Sequence, residues 1–219
     1  TPSLRKVLSG KVSLMFFPRR TMLACPMTHR DRTAILILNH NGRTLLKSCL
    51  DSLLNLVPDQ ADVYVVDNGS TDGSLPFLRR FYRWVKVLAF DRNLGFAEAY
   101  NISIRQTEAD YALLLNNDVV ARDPSFVMNL LEPMQSDSSV AAVTCKILFL
   151  RKPDTINSVG GMAYCWTNIV DIGFDEKDQG QYDNPPTEPF SFCGAAALVR
   201  RSLFLKAGGF DSKMFAYAE

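Results

Sequence analysis

The chain has 219 residues, of which 47% are hydrophobic and 21% charged, as in an ordinary globular protein with a sizeable core. Its formal net charge is only +1, and no basic stripe with interleaved aromatic residues occurs, which argues against a nucleic-acid-binding protein. No apolar run approaches the roughly 20 residues of a membrane-spanning helix. The five cysteines are odd in number and contain no C-x-x-C, so they support neither a zinc site nor a disulfide framework. This usage is typical of a reducing compartment, and we expect a cytoplasmic protein.

The first part of the chain is strongly basic. Residues 1–32 carry seven Lys or Arg residues against one Asp, whereas the remainder carries 17 basic and 22 acidic residues. We therefore interpret residues 1–30 as a basic leader, either disordered or not native to the domain, and residues 31–219 as one domain. A leader of this charge leaves open a peripheral association with a membrane surface.

Four short apolar segments follow, and each ends in a polar cluster. They predict strands at residues 34–38, 62–66, 85–90 and 111–115, with helical patterns between them. The order β-α-β-α-β-α-β is typical of a parallel, nucleotide-binding α/β sheet, in which ligands lie beyond the carboxyl ends of the strands. The polar clusters are Asn39-His40-Asn41-Gly42, Asp67-Asn68-Gly69-Ser70-Thr71-Asp72, Asp91-Arg92-Asn93-Leu94-Gly95 and Asn116-Asn117-Asp118.

The last of these clusters indicates a metal site. Asp118 follows two amides at the end of a predicted buried strand, where a carboxylate is well placed to hold a divalent cation that a substrate's phosphates also bind. The alternative is a strand-to-helix turn, in which Asn and Asp bond their own backbone. A second strand ends the same way, in Asp67, which favours the ligand site. Asn93 and Gly95 open a predicted helix whose N-terminus can face phosphate or sugar hydroxyls, with N-capping by Asn93 as the alternative.

The ordered series at residues 38–42, 66–72, 93–97 and 115–118 resembles family 2 glycosyltransferases, which are inverting enzymes of the A-type glycosyltransferase fold. It is most similar to their rhamnosyltransferase-like branch, which builds bacterial cell-surface polysaccharides. Stretches within residues 194–219 fit as well, so the resemblance covers residues 33–219. It implies a Rossmann-like, mostly parallel nucleotide-binding sheet that is truncated at its C-terminus.

The resemblance also implies roles for the strand-end residues. Asp67 would accept hydrogen bonds from the base or ribose of a nucleotide diphosphate sugar, and Asn39, Asn41 and Asn117 would lie against the same nucleotide. Asp118, with Asn116 as a weaker ligand, would hold Mg²⁺ or Mn²⁺. Many relatives carry an acidic pair here, but this chain has Asn116 at the first position. The nucleotide would therefore supply most of the oxygens around the cation.

For the general base, the resemblance implies an Asp directly after a Glu, and that Glu would be Glu219. We therefore expect the chain to be a fragment that lacks its base, with Glu219 as the non-catalytic member of the pair. Asp211 is a substitute, although a turn residue after Gly208-Gly209 is the better interpretation of it. The implied reaction is metal-assisted, inverting transfer of a sugar to a hydroxyl of a glycan or lipid-linked acceptor, in cell-surface polysaccharide synthesis in the cytoplasm or at the inner membrane face.

Other classes fit the sequence less well. An NAD-dependent oxidoreductase would carry G-x-G-x-x-G after the first strand, where this chain has Asn39-His40-Asn41-Gly42-Arg43. A sugar-phosphate nucleotidylyltransferase would have a Gly- and Arg-rich loop there. A non-catalytic nucleotide-sugar-binding domain, or an inactive truncated fragment, stays open. The donor sugar, its nucleotide and the acceptor are not determined by the sequence.

Overall fold

The computed structural model describes residues 6–16, 32–54, 61–164, 168–183 and 188–215. Among them, no helix combines the length and the hydrophobicity that crossing a bilayer requires. The helices are α1 Arg43–Leu53, α2 Ser74–Phe81, α3 Gly95–Gln106, α4 Phe126–Ser136 and α5 Arg201–Lys206. The strands are β1 Lys6–Phe16, β2 Thr33–Asn39, β3 Asp62–Asn68, β4 Lys86–Phe90, β5 Tyr111–Asn116, β6 Val119–Ala121, β7 Val140–Phe149, β8 Lys152–Ser158, β9 Gly161–Tyr164, β10 Asn168–Asp171 and β11 Ala196–Arg200.

The four predicted strands form one half of the main sheet. Their order is β4–β3–β2–β5, every neighbouring pair is parallel, and α1, α2 and α3 connect them. Asn39 at the end of β2 is level with Asp67 on β3, and Leu38 pairs with Asn116 on β5. The carboxyl ends of these strands therefore meet at one edge of the sheet, where a ligand site is expected. The predicted parallel α/β sheet is confirmed.

Beyond β5 the sheet changes character. It continues in the order β11–β7–β1–β6, and β8 lies beside β7. Strand β11 is antiparallel to both β5 and β7, and β8 is antiparallel to β7. The parallel half of the sheet thus carries the polar strand ends, whereas a largely antiparallel half supports it from one side.

Part of the basic leader, which the charge pattern predicts to be either disordered or not native, lies among the described residues. Residues Lys6–Phe16 form strand β1, which runs antiparallel to β7 and parallel to β6. Strand β7 has ten residues, and without β1 one of its edges would expose a row of unpaired backbone N–H and C=O groups. The rest of residues 1–30 lies outside the described residues, and the domain boundary at residue 31 stays a prediction.

The core lies on both faces of the sheet. Along β2, Ile35 and Ile37 belong to one apolar cluster, whereas Ala34 and Leu36 belong to the other. This alternation follows from the two-residue period of a strand, and burial of both faces is typical of parallel sheets. The helical spacing of Leu45, Leu46, Cys49, Leu50, Leu53 and Leu54 predicts an apolar stripe, of which α1 packs Leu46, Cys49, Leu50 and Leu53 into the first cluster, whereas Leu54 is exposed. Helix α3 packs Ala99, Tyr100 and Ile104 into the second cluster.

One residue of the strand-end clusters, Asp72, joins two helix N-termini. Its Oδ2 accepts a hydrogen bond from the backbone N of Arg43 in α1 (2.9 Å), and its Oδ1 accepts from the backbone N of Ser74 in α2 (3.0 Å). Partial burial raises the pKa of Asp72, but the hydrogen bonds from Ser74 and Arg43 outweigh this effect and hold the pKa below its ordinary value. Asp72 therefore serves as an ionised cap for both helices.

We expect Asp72→Ala to lower the free energy of unfolding at pH 7 by about 1–2 kcal/mol, as the loss of a helix cap does. Because the folded pKa is lowered, this contribution is present above the unfolded Asp pKa of about 3.9 and is lost as the pH falls through the folded value. The difference between wild type and variant should therefore shrink in acid. Urea unfolding across pH measures it, with the exposed Asp91→Ala as control; a difference independent of pH would contradict the capping role.

Candidate functional site

A pocket of about 260 Å³ lies at the carboxyl ends of the parallel strands. Four of the predicted site residues line it, namely Asn93, Gly95, Asn116 and Asn117. The structure also places residues there to which the sequence analysis assigned no role: Leu38, His40, Asn68, Phe96 and Phe215. Of these, His40 and Asn68 could have been found from the sequence, because they belong to the same polar clusters as the predicted residues.

The predicted Asn39 and Asp67 are both fully buried. The Asn39 Nδ2 donates to Asp67 Oδ1 (3.1 Å) and to the Ser70 Oγ (3.2 Å), and Asp67 Oδ2 accepts from the backbone N of Ser70 (3.1 Å). Asp67 thus organises the loop after β3. Each of its oxygens keeps a second lone pair, but a nucleotide could reach it only if the loop moved, so its contact with a base or ribose stays a prediction.

Asn41 is exposed and joins the loop after β2 to the loop after β3. Its Oδ1 accepts from the backbone N of Thr71 (2.7 Å), and its backbone N donates to the Ser70 Oγ (3.0 Å). Its φ of +50° is in the left-handed region, which Asn tolerates better than most residues. The structure therefore shows how Asn41 shapes the rim of the site, while its contact with a nucleotide stays a prediction.

The N-terminus of α3 is occupied by acceptors from the protein. The backbone N of Leu94 donates to Asn68 Oδ1 (2.8 Å), and the backbone N of Gly95 donates to Asn93 Oδ1 (2.9 Å). The backbone N of Phe96 donates to the carbonyl oxygen of Phe215 (2.7 Å). Asn93 thus accepts from the first backbone N–H of α3, although Leu94 occupies the N-cap position. A phosphate or sugar hydroxyl could bind the Phe96 amide only after the Phe215 carbonyl had been displaced.

Asp118 and Asn116 supply the candidate metal ligands. Asn116 ends β5 and lines the pocket, and the half-buried Asp118 lies in the turn to β6. Burial raises the pKa of the neighbouring Cys49 thiol, and the negative charge of Asp118 raises it further. No group of three or more His, Cys, Asp or Glu residues in the described part of the chain could hold a metal. A carboxylate and an amide are oxygen ligands of the type that Mg²⁺ and Mn²⁺ accept, with phosphate and water completing the shell.

The sequence connects two residues, Asp211 and Glu219, with the general base. Asp211 is exposed and lies in a turn, where its Oδ1 accepts a hydrogen bond from the backbone N of Lys213 (3.0 Å). Its backbone carbonyl oxygen accepts a hydrogen bond from the backbone N of Met214 (2.9 Å). This geometry matches the turn interpretation, and a catalytic role for Asp211 stays a prediction. Glu219 lies outside the described residues.

The segment around Asp211 is held against α3 by Asn101, which the sequence analysis did not single out. The Asn101 side chain pairs with both backbone groups of Phe210, donating to its carbonyl oxygen and accepting from its N, each at 2.9 Å. At Gly209, with a φ of +81°, an added Cβ would lie 2.4 Å from Asn101 Oδ1. This anchor leads the segment towards Phe215, whose ring and carbonyl oxygen lie against Gly95 at the pocket.

The model of glycosyl transferase family 2 matches residues 34–207, which is most of the chain. The chain belongs to this family. The matched range contains every strand end that lines the pocket and the whole α3 helix. Family 2 membership therefore covers the part of the molecule in which the polar strand ends converge, and the predicted family is confirmed.

Two curated relatives of the chain are similar to it over most of its length. The chain is 27% identical over 198 residues to the O-antigen biosynthesis protein RfbC of Myxococcus xanthus, covering 86% of this chain but 15% of RfbC. It is 26% identical over 214 residues to an N-acetylglucosaminyl-diphospho-decaprenol L-rhamnosyltransferase of Mycobacterium tuberculosis, covering 86% of this chain and 68% of the relative. The predicted similarity to rhamnosyltransferases is thus confirmed.

Solved structures share the fold. The mannosyltransferase PcManGT of Pyrobaculum calidifontis, solved with GDP-Man and Mn²⁺, superposes with a TM-score of 0.59 at 19% identity, covering 85% of this chain and 49% of that one. TarS of S. aureus superposes with a TM-score of 0.55 at 15% identity, covering 85% and 52%. The A-type glycosyltransferase fold of family 2 is therefore confirmed. The chain spans about half the length of these solved proteins.

Proposed function

We propose that this family 2 protein transfers a sugar from a nucleotide diphosphate sugar to a hydroxyl of a glycan or lipid-linked acceptor, with inversion at the anomeric carbon. The observation that carries the proposal is the pocket at the carboxyl ends of β2, β3 and β5, in a chain of this family. The names of RfbC and of the mycobacterial rhamnosyltransferase support a role in cell-surface polysaccharide synthesis. A lipid-linked acceptor would place the reaction at the cytoplasmic face of a membrane.

On the donor side, the proposed roles belong to residues that line the pocket and to Asp118, which does not line it but lies in the same turn as the pocket-lining Asn116 and Asn117. Asp118 would hold Mg²⁺ or Mn²⁺ with its carboxylate, and Asn116 would add its amide oxygen. When bound, the cation neutralises the charge that develops on the departing diphosphate. The His40 Nδ1 lies 2.8 Å from the carbonyl oxygen of Asn68, which accepts its hydrogen and fixes the imidazole at the pocket wall. Asn117 and Asn93 would present amides to the donor from the same wall.

The acceptor side needs a general base, because the attacking hydroxyl must lose its proton as the new glycosidic bond forms. The segment from Phe210 to Phe215 runs from its anchor on α3 to the rim of the pocket. This course supports the proposal that the acceptor binds beside this segment. Within this chain Asp211 stays the substitute candidate for the base, and Glu219 stays the predicted non-catalytic neighbour of the base.

Calorimetric titration with UDP, GDP and dTDP, each with and without MnCl₂ or MgCl₂, tests the donor half of the proposal. We expect one nucleotide to bind, and the cation to strengthen that binding. A transfer assay with the corresponding nucleotide sugars then tests the reaction. Absence of nucleotide binding would contradict the proposed function, whereas binding without transfer would favour the non-catalytic nucleotide-sugar-binding domain.

A further inference from the structure

A buried amide, Asn39, bridges the two sides of the proposed donor site. Its Nδ2 donates to Asp67 Oδ1 (3.1 Å) and to the Ser70 Oγ (3.2 Å) in the loop after β3. Its Oδ1 accepts from the Nδ2 of Asn117 (2.8 Å) in the turn after β5. These contacts join side chains that are 28, 31 and 78 residues apart in the chain. Asn39 is fully buried, so it lies behind the pocket rather than in it.

Only an amide can make this set of contacts. The Asp67 carboxylate is an acceptor, so Asn39 must turn its NH₂ group towards it, and this orientation leaves the Asn39 oxygen for Asn117. A carboxylate at position 39 would face Asp67 as a like charge, whereas an apolar side chain would leave buried polar groups unpaired, at a cost of about 1–3 kcal/mol each. The amide therefore sets the positions of Asp67 and Asn117 together.

Gly42 shows how closely the bridge is packed. A Cβ added there would lie 2.1 Å from the Asn117 Nδ2 and 2.9 Å from the Asn39 Oδ1. The φ of Gly42 is −115°, which other residues adopt readily, so its backbone conformation does not require glycine. Glycine is instead required because the Asn117 amide approaches the backbone at this point. The first turn of α1 thus leaves room for Asn117 to reach Asn39.

We propose that Asn39 is a positioning residue that couples nucleotide binding at the Asp67 loop to cation binding at the Asn116–Asp118 turn. The inference rests on the proposed function, because it assigns these two sides to nucleotide and cation. Asn39 touches neither ligand. It holds Asn117 and therefore sets the orientation of the adjoining Asp118. Because coupling between two binding sites is reciprocal, loss of the bridge lowers the factor by which each ligand strengthens binding of the other.

The test measures the affinity for whichever of UDP, GDP and dTDP the wild type binds, with and without MnCl₂. The ratio of the affinity with manganese to the affinity without it defines the manganese enhancement. In Asn39→Ala we expect this enhancement to fall by about 10–100-fold, as for residues that orient a metal ligand. Asn39→Asp should behave in the same way because its carboxylate faces Asp67. A purely structural role would instead weaken binding equally with and without manganese.

The double variant Asn39→Asp/Asp67→Asn sharpens the test. It exchanges the amide and the carboxylate between positions 39 and 67. The new carboxylate at position 39 can accept hydrogen bonds from Asn117 and from the new amide at position 67, so the bridge is rebuilt. We expect it to regain the wild-type manganese enhancement, while its affinity without manganese equals that of Asp67→Asn. Failure of this double variant to regain the enhancement would overturn the inference, even if both single variants proved too unstable to purify.

The matched control is Ser103→Ala, which removes another fully buried polar group, whose Oγ donates to the Ala99 carbonyl oxygen (2.7 Å) within α3. It should change stability but not the manganese enhancement. If the wild type shows a manganese enhancement and folded Asn39→Ala shows the same enhancement, the coupling role of Asn39 is overturned, whereas the proposed function is not. If the wild type binds none of UDP, GDP and dTDP in the presence of manganese, the proposed function fails, and the inference fails with it.

Discussion

Replacing Asp118 by Asn should abolish the manganese enhancement of nucleotide binding and slow sugar transfer at least about 100-fold. Charge neutralisation by a bound cation supplies several kcal/mol of transition-state stabilisation, and each 1.4 kcal/mol corresponds to a factor of ten in rate. The substituted amide would keep the shape of the side chain but not its charge, and the amide of Asn116 cannot compensate for the missing carboxylate. Nucleotide binding without metal should change little, because the proposed contribution of Asp118 is made through the cation.

The comparison with two other carboxylates makes this prediction specific. Asp110 precedes the opposite end of β5, where its Oδ2 accepts from the backbone N of Arg32 (2.9 Å), so Asp110→Asn should leave the metal dependence unchanged. Asp67→Asn should weaken nucleotide binding even without metal. Titration with MnCl₂ at fixed nucleotide distinguishes the three variants. An intact manganese enhancement in Asp118→Asn would show that the metal ligand has been assigned to the wrong residue.

The second large effect is expected at Lys146, which lies in β7 with only 3% of its side chain exposed. Its Nζ lies 2.6 Å from Asp178 Oδ1 and 2.8 Å from Asp183 Oδ1, in the segment that follows β10. Both carboxylates are themselves less than 20% exposed. Lys146→Met would leave them facing each other without the cation between them. We expect a loss of about 3–5 kcal/mol in the free energy of unfolding, as when one partner of a buried ion pair is removed.

The triple variant Lys146→Met/Asp178→Asn/Asp183→Asn should recover most of this stability, because it removes the uncompensated charges along with the lysine. Lys152→Met is the matched control: its ion pair with Asp175 has an N–O distance of 3.4 Å, and both side chains are more than 60% exposed. It should cost less than about 1 kcal/mol. Urea unfolding of the four proteins measures these differences. If Lys146→Met unfolded within about 1 kcal/mol of wild type, the ion pairs would not hold the segment after β10 to β7.

The sequence by itself determined the parallel half of the sheet, the family and where the polar clusters lie. The apolar segments at β2, β3 and β5 and the helical spacing of Leu45, Leu46, Cys49, Leu50, Leu53 and Leu54 predict elements that the structure contains. These features are local, because the period of a strand or helix and the chemistry of a strand end can be seen in a few consecutive residues. The carboxyl ends of parallel strands then meet by topology alone.

Only the tertiary structure decided what each polar residue of the site contacts. The sequence predicts Asn39 and Asp67 as ligand-binding residues, and the structure shows that both are fully buried and hydrogen-bonded to each other. Asn93 accepts from the backbone N of Gly95 at the start of α3, and the contact of Asn101 with Phe210 joins residues 109 positions apart. Strand β1 likewise forms by antiparallel pairing with the distant strand β7. Burial and pairing of polar groups result from contacts between distant segments, and no local periodicity in the sequence records them.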